Sequence, residues 1–551
     1  MTNEILTPIS LWADFNDALP LKERKVNVVS IGMVDYNYIY FSGRETSTSR
    51  VRIYGLYAKQ KAKSKGSMLI LPNVSDKINE DLVNYYVKQG YDVLYVDLAG
   101  EVEGRKNYTK YPADVSYANF LNCNENFYNI NNTAKETCWY EWVAVGRYAV
   151  SFLQKQNPKK PIFALGIKHG ANVLWQLAGV DKRISSAIFL FGAGWLSYNG
   201  IDKHDEKEIE MDDNRIRFLA GVDAHTYAKH VTCPVMFLGT TNSVEFNVER
   251  AVDTLSYLDS QKKTHFNFSA SSVDVLDGNY LKTIDIFLNK YVLKEKIALP
   301  EYPQLDLDVN GDVIWYNISY SLASEVESVC VYTSFDDVNL NTRVWNKCYL
   351  PLQDSGEIEF ENKIVSSFNS VLAFVEVVYK NGFRVCSKFF YKNSVYESNV
   401  VKPKVLFNTD KYLIEFVSNE VNDELLAKVF TKNSLNAISV GPNDIKGVTS
   451  INSLSTYAIR NFVPNITDNS FIKFDVYSRD FLKLTLSILV GEKAYSYTAQ
   501  LSGGEIWQNV IIDFQEFKDE NGVSIDDYQN INLLTFKSVG KFTLNNVMVL
   551  W

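Results

Sequence analysis

From Ser67 to Val292 the sequence alternates short apolar segments with longer amphipathic ones, and that rhythm leaves few folds open. "SMLILP", "YDVLYVDLAG", "PIFALGI", "ISSAIFLFGAG", "CPVMFLGTT" and "HFNFSA" are too apolar to have one face in water. Each predicts a strand covered on both sides. "NEDLVNYYVKQG", "ETCWYEWVAVGRYAVSFLQKQ", the stretch from His169 to about Gly179, "FNVERAVDTLSYL" and "YLKTIDIFLNKYV" carry apolar residues near the 3.6 period and predict helices. Strand and helix in turn imply a mostly parallel sheet flanked by helices, an α/β architecture. Ahead of it, "KVNVVSIG", "VDYNYIYFSG" and "RVRIYGLYAK" predict antiparallel strands.

One junction in this series constrains function. "ALGIKHGANVLW", Ala164–Trp175, has the frame of a strand entering a tight glycine turn and leaving as a helix. Hydrolases set a nucleophile at the centre of that turn in the pattern G-x-S-x-G. Here it reads Gly166-Ile167-Lys168-His169-Gly170, with lysine where serine belongs.

Beyond the two prolines of "KIALPEYPQLDL" the helical period vanishes, which marks a boundary near residue 300. About seven strand-like segments follow in a hundred residues, one pair joined at Asn381-Gly382, a hairpin signal. A second all-β stretch runs from about Lys402 to Trp551. The expected division is 1–297, an α/β unit; 298–400, an immunoglobulin-like or fibronectin-like β-sandwich; and 401–551, a jelly roll.

Composition excludes several classes of function. The 551 residues carry a net charge of −9 and no basic tract, which argues against nucleic acid as a partner. No apolar run approaches the ~18 residues of a membrane span. "MTNEILTPISLW" lacks the basic and apolar regions of a signal peptide, so a cytoplasmic protein is expected, with a leaderless export route left open. The six cysteines show no metal-ligand spacing, and no metal or cofactor is expected. Cys233 reads as a buried thiol. Cys330, Cys348 and Cys386 share one β-rich region and could pair if exported, although free thiols are the simpler expectation.

The segment from about Asp14 to Leu293 resembles the α/β-hydrolase superfamily, in particular bacterial esterases of the acetyl-xylan-esterase and dienelactone-hydrolase kind. The resemblance is carried by "GYDVLYVDLAG", "TKYP", "TCWYEW", "GIKHGANVLWQLAGVDKRISSAIFLFGAGW" and "CPVMFLGTTN". More weakly, the last segment resembles galactose-binding-like, carbohydrate-binding sandwiches, through its strand rhythm and "NNVMVLW".

The resemblance implies a serine, an acid and a histidine in that chain order. Position one is Lys168. Position two falls after "CPVMFLGTT", where the chain offers Asn242, Ser243 and, late, Glu245. Position three falls in "SSVDVLDGN", which has no histidine; His265 is at the wrong end of its strand, and His169, His204, His225 and His230 come earlier. His169 is expected to contribute its backbone N–H, not its imidazole. A Schiff-base role for Lys168 would need a depressed pKa and a proton acceptor that the sequence does not place.

Two readings of Lys168 remain. With Gly166, His169 and Gly170 at a helix N-terminus it could form an anion pocket. Alternatively it fills the old catalytic cavity and pairs with Glu245 or Asp274, since a buried ammonium needs a partner. Trp139, Tyr140 and Trp142 are expected in the core. In the last segment Tyr495, Tyr497 and Trp507 could stack on sugar rings, or Tyr495 and Tyr497 could simply face the core. The sequence therefore reads as a non-catalytic, esterase-like protein that binds a glycan or a partner handling one. The alternative is an active carbohydrate esterase or acyltransferase with a rearranged site, and the oligomeric state stays open.

Overall fold

The computed structural model describes residues 4–550 except 19, 124–126, 129, 193–194, 199–200, 205–210, 244–245, 259–263, 271–273, 275, 312, 337, 339, 341–342, 344, 364–367, 398–403 and 408–437. The first unit holds nine strands: β1 (Arg24–Ile31), β2 (Val34–Glu45), β3 (Arg50–Gln60), β4 (Ser67–Leu71), β5 (Asp92–Val96), β6 (Ile162–Ile167), β7 (Ile184–Leu190), β8 (Val235–Thr240) and β9 (Thr264–Ser269). They form one sheet in the order β1-β2-β3-β5-β4-β6-β7-β8-β9. β1, β2, β3 and β5 pair antiparallel, and from β5 through β4 to β9 every pairing is parallel. The exchanged places of β4 and β5, with crossover helices thereafter, give the α/β-hydrolase sheet.

The reason for the unbroken apolar runs is visible in the packing. Leu69, Leu71, Leu94, Val96 and Ala164 face one buried cluster, while Met68, Ile70, Val93, Tyr95, Phe163 and Leu165 face the other. Both faces are dry, so period-2 alternation has no role in these strands. The helices are α1 (Pro8–Trp12), α2 (Glu80–Lys88), α3 (Cys138–Gln156), α4 (His169–Val180), α5 (Asp213–Gly221), α6 (Ala224–Ala228), α7 (Val248–Ser256) and α8 (Gly278–Tyr291). Polar side chains fix several starts: Asn79 accepts from the Leu82 N–H, Thr137 from Tyr140, Asn247 from Arg250, and Asp277 from Asn279 and Tyr280. Trp139 and Trp142 on α3 are fully buried, and Tyr140 packs at the edge of the same cluster.

The next strands are β10 (Gln304–Asn310), β11 (Val313–Ser319), β12 (Val326–Phe335), β13 (Asn346–Leu350), β14 (Glu357–Lys363), β15 (Phe368–Tyr379), β16 (Arg384–Cys386) and β17 (Phe390–Tyr396). They make two antiparallel sheets, β10-β11-β14 and β13-β12-β15-β16, with β17 also on β15. β15 and β16 flank the Asn381-Gly382 turn, where Gly382 has φ 89°. Cys330 and Cys386 lie opposite Glu376 on its two sides, two strand spacings apart, while Cys348 faces the other way beside Val331. The register thus keeps these three thiols from pairing, and none of the six cysteines is in a disulfide. Cys233, expected to be buried, is half-buried just ahead of β8.

This sandwich covers the β9 edge of the large sheet. Cys386 Sγ donates to the Phe268 carbonyl at 3.3 Å, and Phe268 lies against Phe374 and Phe389. An open edge strand invites mispairing, so the cover is structural. A buried ion pair pins the two units together: Arg343 Nη1, in the segment between β12 and β13, lies 2.9 Å from Glu249 Oε1 on α7, both side chains being fully buried.

The last strands are β18 (Lys404–Phe407), β19 (Ile438–Val440), β20 (Lys446–Ser450), β21 (Ser453–Thr456), β22 (Phe471–Tyr477), β23 (Leu482–Val490), β24 (Lys493–Leu501), β25 (Trp507–Asp513), β26 (Ile531–Lys537) and β27 (Phe542–Leu550). Their sheets, β19-β20-β27-β22-β25 with β18 on β27 and β21-β26-β23-β24, enclose a separate core.

The Arg343→Ala variant leaves Glu249 buried without its guanidinium and is expected to lose about 3–5 kcal/mol in urea denaturation. A loss below about 1 kcal/mol would show that the pair does not hold the units together.

Candidate functional site

The turn after β6 keeps the backbone of a nucleophile elbow. Lys168 sits at φ 52°, ψ −117°, a conformation that costs a side-chain-bearing residue about 1–3 kcal/mol. Its neighbours leave no alternative. A Cβ on Gly166 would meet the Gly170 carbonyl oxygen at 2.5 Å, one on Gly170 would meet the Leu71 oxygen at 2.2 Å, and one on Gly192 would meet the Ala171 Cβ at 2.2 Å. The Lys168 N–H donates to the Leu190 carbonyl at 2.8 Å, and the Lys168 carbonyl accepts from Ala171 at 2.9 Å. The bend thus projects the Lys168 side chain over the C-terminal edge of the parallel strands.

Lys168 Nζ stands 3.9 Å from Asp274 Oδ2, both side chains being largely buried. Asp274 lies in the loop between β9 and α8, the loop where hydrolases carry their histidine. The carboxylate is fixed from the β8 side: the Thr240 hydroxyl donates to Oδ1, and the Ser243 hydroxyl donates to Oδ2 at 2.8 Å. Glu245, the other acid considered for Lys168, lies outside the described residues.

His169 opens α4, and its imidazole packs against Asn73 and a set of aromatic rings. Nδ1 lies 2.5 Å from Asn73 Oδ1, and the ring is surrounded by Phe120, Phe127, Trp139 and Phe246. Burial, reinforced by the Lys168 charge, pushes its pKa down to about 3. The other histidines are placed elsewhere. His265, at the start of β9, meets the Tyr291 hydroxyl at 3.0 Å; His204 stacks on Tyr391 and His225 on Trp195. His230 precedes β8, at the opposite end of the sheet from the elbow.

Asn242, in the loop after β8, packs against the segment between β12 and β13. Asn242 Oδ1 accepts from Trp345 Nε1 at 3.1 Å, and its amide donates to the Arg343 carbonyl. Asn73, Thr240, Arg343 and Trp345 were not singled out from the sequence. Asn73 had a signal, since "LPN" ends the strand whose carbonyls press on Gly170; the other contacts are long-range and had none. Among the described residues no group of three or more His, Cys, Asp or Glu is placed to hold a metal ion, and no helix is long and apolar enough to cross a membrane.

The three aromatics considered for sugar stacking are not brought together. Tyr495 is 3% exposed in the core of the last sandwich, and Tyr497 packs at the edge of that core from the same face of β24. Burial leaves the Tyr495 ring little surface to offer a ligand, and Tyr497 remains half-buried. Trp507 is half-buried on the other sheet.

What the elbow can do follows from its groups. Lys168 beside Asp274 can order a charge or donate hydrogen bonds to a group above the strand ends.

No family model and no curated protein matches this sequence. Solved structures do match in fold. Acetyl xylan esterase 1 from Thermoanaerobacterium sp. JW/SL YS485 aligns over 53% of this chain and 95% of its own, with 14% identity and a TM-score of 0.38. An acetyl xylan esterase from Paenibacillus sp. R4 aligns over 53% and 96%, with 13% identity and a TM-score of 0.39. The Pyrococcus furiosus esterase Pf2001 aligns over 47% and 93%, with 13% identity and a TM-score of 0.33. The fold assignment to the α/β-hydrolases stands on the strand order and the elbow themselves.

The depressed His169 pKa makes a pH prediction. Its folded value, about 3, lies below the ordinary 6.5, so unfolding takes up a proton between these values and stability falls as pH drops through that window. Comparing pH 7 with pH 5, wild type is expected to lose on the order of 2 kcal/mol more than His169→Gln in paired denaturation curves. Equal losses would place the imidazole in water.

Proposed function

We propose that this chain is a non-catalytic binding protein built on an esterase-like α/β-hydrolase frame, and that it engages a glycan or a protein that handles one. The division into units at 1–297, 298–400 and 401–551 belongs to this reading. The observation that carries it is the pairing of Lys168 with Asp274. A cation occupies the nucleophile's place and a carboxylate the base's loop, so the two positions complement each other in charge while neither can do its former work. The cavity is filled by a charge pair, with hydroxyls supplying the hydrogen bonds that a buried carboxylate requires. The four-sided cage around His169 also supports the reading, because it withholds the one imidazole beside the elbow.

The glycan part of the reading rests on the weak resemblance of the last sandwich to carbohydrate-binding domains, on the absence of any basic tract, and on a polar, aromatic sheet face treated below. For the competing reading, a rearranged esterase, the described residues put two hydroxyls on Asp274, those of Thr240 and Ser243; Ser243 Oγ donates to Asp274 and accepts from the Phe246 N–H at 3.3 Å. Both bonds hold that oxygen as a structural link.

Incubation with a chromogenic acetyl ester and with a fluorophosphonate probe is expected to give no turnover above buffer and no labelling. Turnover or labelling that Ser243→Ala or Lys168→Ala abolishes would establish an enzyme and overturn the non-catalytic reading.

A further inference from the structure

The outer face of the β19-β20-β27-β22-β25 sheet carries a different set of side chains from its core face. On β22, Ile472, Phe474 and Val476 are buried, which turns Lys473, Asp475 and Tyr477 outward; on β25, Ile512 is buried, which turns Trp507, Asn509 and Ile511 outward. Trp507 is paired in register with Tyr477, Tyr477 with Thr543, and Thr543 with Thr449 on β20. On a flat sheet β25 and β20 would stand about 14 Å apart. Yet a Cβ on Gly447 of β20 would lie 2.9 Å from the Trp507 ring, one on Gly441 would lie 2.7 Å from it, and the indole N–H donates to the Pro442 carbonyl at 3.1 Å. The sheet therefore curls toward this side, and its outer face is concave, with Trp507 as an end wall.

Along the concave floor a carboxylate organises two amides. Asp475 Oδ1 accepts from Asn509 Nδ2 at 2.8 Å and Oδ2 accepts from Asn546 Nδ2 at 2.5 Å. Asn546 has φ 49°, next to the irregularity between β22 and β27, which lets it reach Asp475. Because both amides spend a donor on Asp475, their planes are fixed before any ligand arrives. Lys473 adds a cation on the same strand, and Ile511, 55% exposed, adds apolar surface. The Tyr477 ring lies 6.0 Å from Trp507.

We propose that this concave face binds a glycan chain, with pyranose rings against Trp507 and Tyr477 and sugar hydroxyls meeting Asp475, Asn509 and Lys473. The proposal rests on the glycan-binding reading and locates it. Aromatic rings suit the C–H faces of a sugar, and planar groups already held in place meet its hydroxyls without further loss of freedom. A polyphosphate is disfavoured by the central carboxylate. An extended peptide adding to the sheet would pair along the edge strand β25, not across the face of the interior strands β22 and β27 where the carboxylate and the amides stand.

Affinity electrophoresis of the full chain in native gels containing soluble xylan, galactomannan or mixed-linkage β-glucan tests this. Retardation by at least one polysaccharide is expected, weakened at least about tenfold in both Trp507→Ala and Asn509→Ala. It is expected to be unchanged in Tyr349→Ala, an exposed aromatic on β13. Asn509 is exposed, so its variant keeps the test decisive where loss of Trp507 disturbs the domain, which circular dichroism would reveal. Retardation that survives both substitutions would move the site elsewhere and leave the glycan-binding reading standing. No retardation by any of the three would overturn the site and the glycan arm of that reading together, leaving the protein partner alone.

Discussion

The positive φ of Lys168 is the constraint from which the site follows. Three close approaches meet at this bend: the end of β4 on Gly170, α4 on Gly166, and Ala171 with the Lys168 carbonyl on Gly192 of the loop after β7. With those contacts in place the chain cannot relax residue 168 into an ordinary conformation, and whatever side chain stands there is presented above the strand ends. In a serine hydrolase the strain serves exposure of a nucleophile. Here the same strain carries a long cation into a largely buried position, and a charge so placed demands an answering one. Asp274 answers it, and Thr240 and Ser243 hold Asp274 in turn. Local backbone geometry thus determines an electrostatic arrangement that reaches β8 and the loop after β9.

The parts legible in the sequence were those set by local rules. Strands β4 to β8 showed themselves because both faces are dry, and the elbow because glycine is required wherever backbones touch. The registers of long-range contacts were hidden. Period two put Tyr495 and Tyr497 on one face but could not say that the face was the core. The same rule, applied to β22 and β25, finds Tyr477 and Trp507 together only once the strands are known to be neighbours. The helices α5 and α6 escaped notice because they are short and carry no clear apolar period. The cover over β9 was likewise invisible, since it depends on Cys386 and Phe389, more than a hundred residues away.

Asn242 ties the loop after β8 to the second unit. A triad acid after β8 must accept a hydrogen bond from an imidazole, which requires a carboxylate free to face the cavity. Asn242 instead donates to the Arg343 carbonyl while accepting from the Trp345 indole, and Arg343 itself is committed to Glu249 on α7. A carboxylate at 242 could not make the first of these bonds, because it has no donor to offer a carbonyl. Acid function at this position and the seating of the first sandwich against the sheet are therefore in direct competition. The neighbouring hydroxyl of Ser243 points the other way, into Asp274, so a single short loop divides its side chains between the filled cavity and the interface. The seating of the sandwich is in this way tied to an amide, with its donor and its acceptor, at position 242.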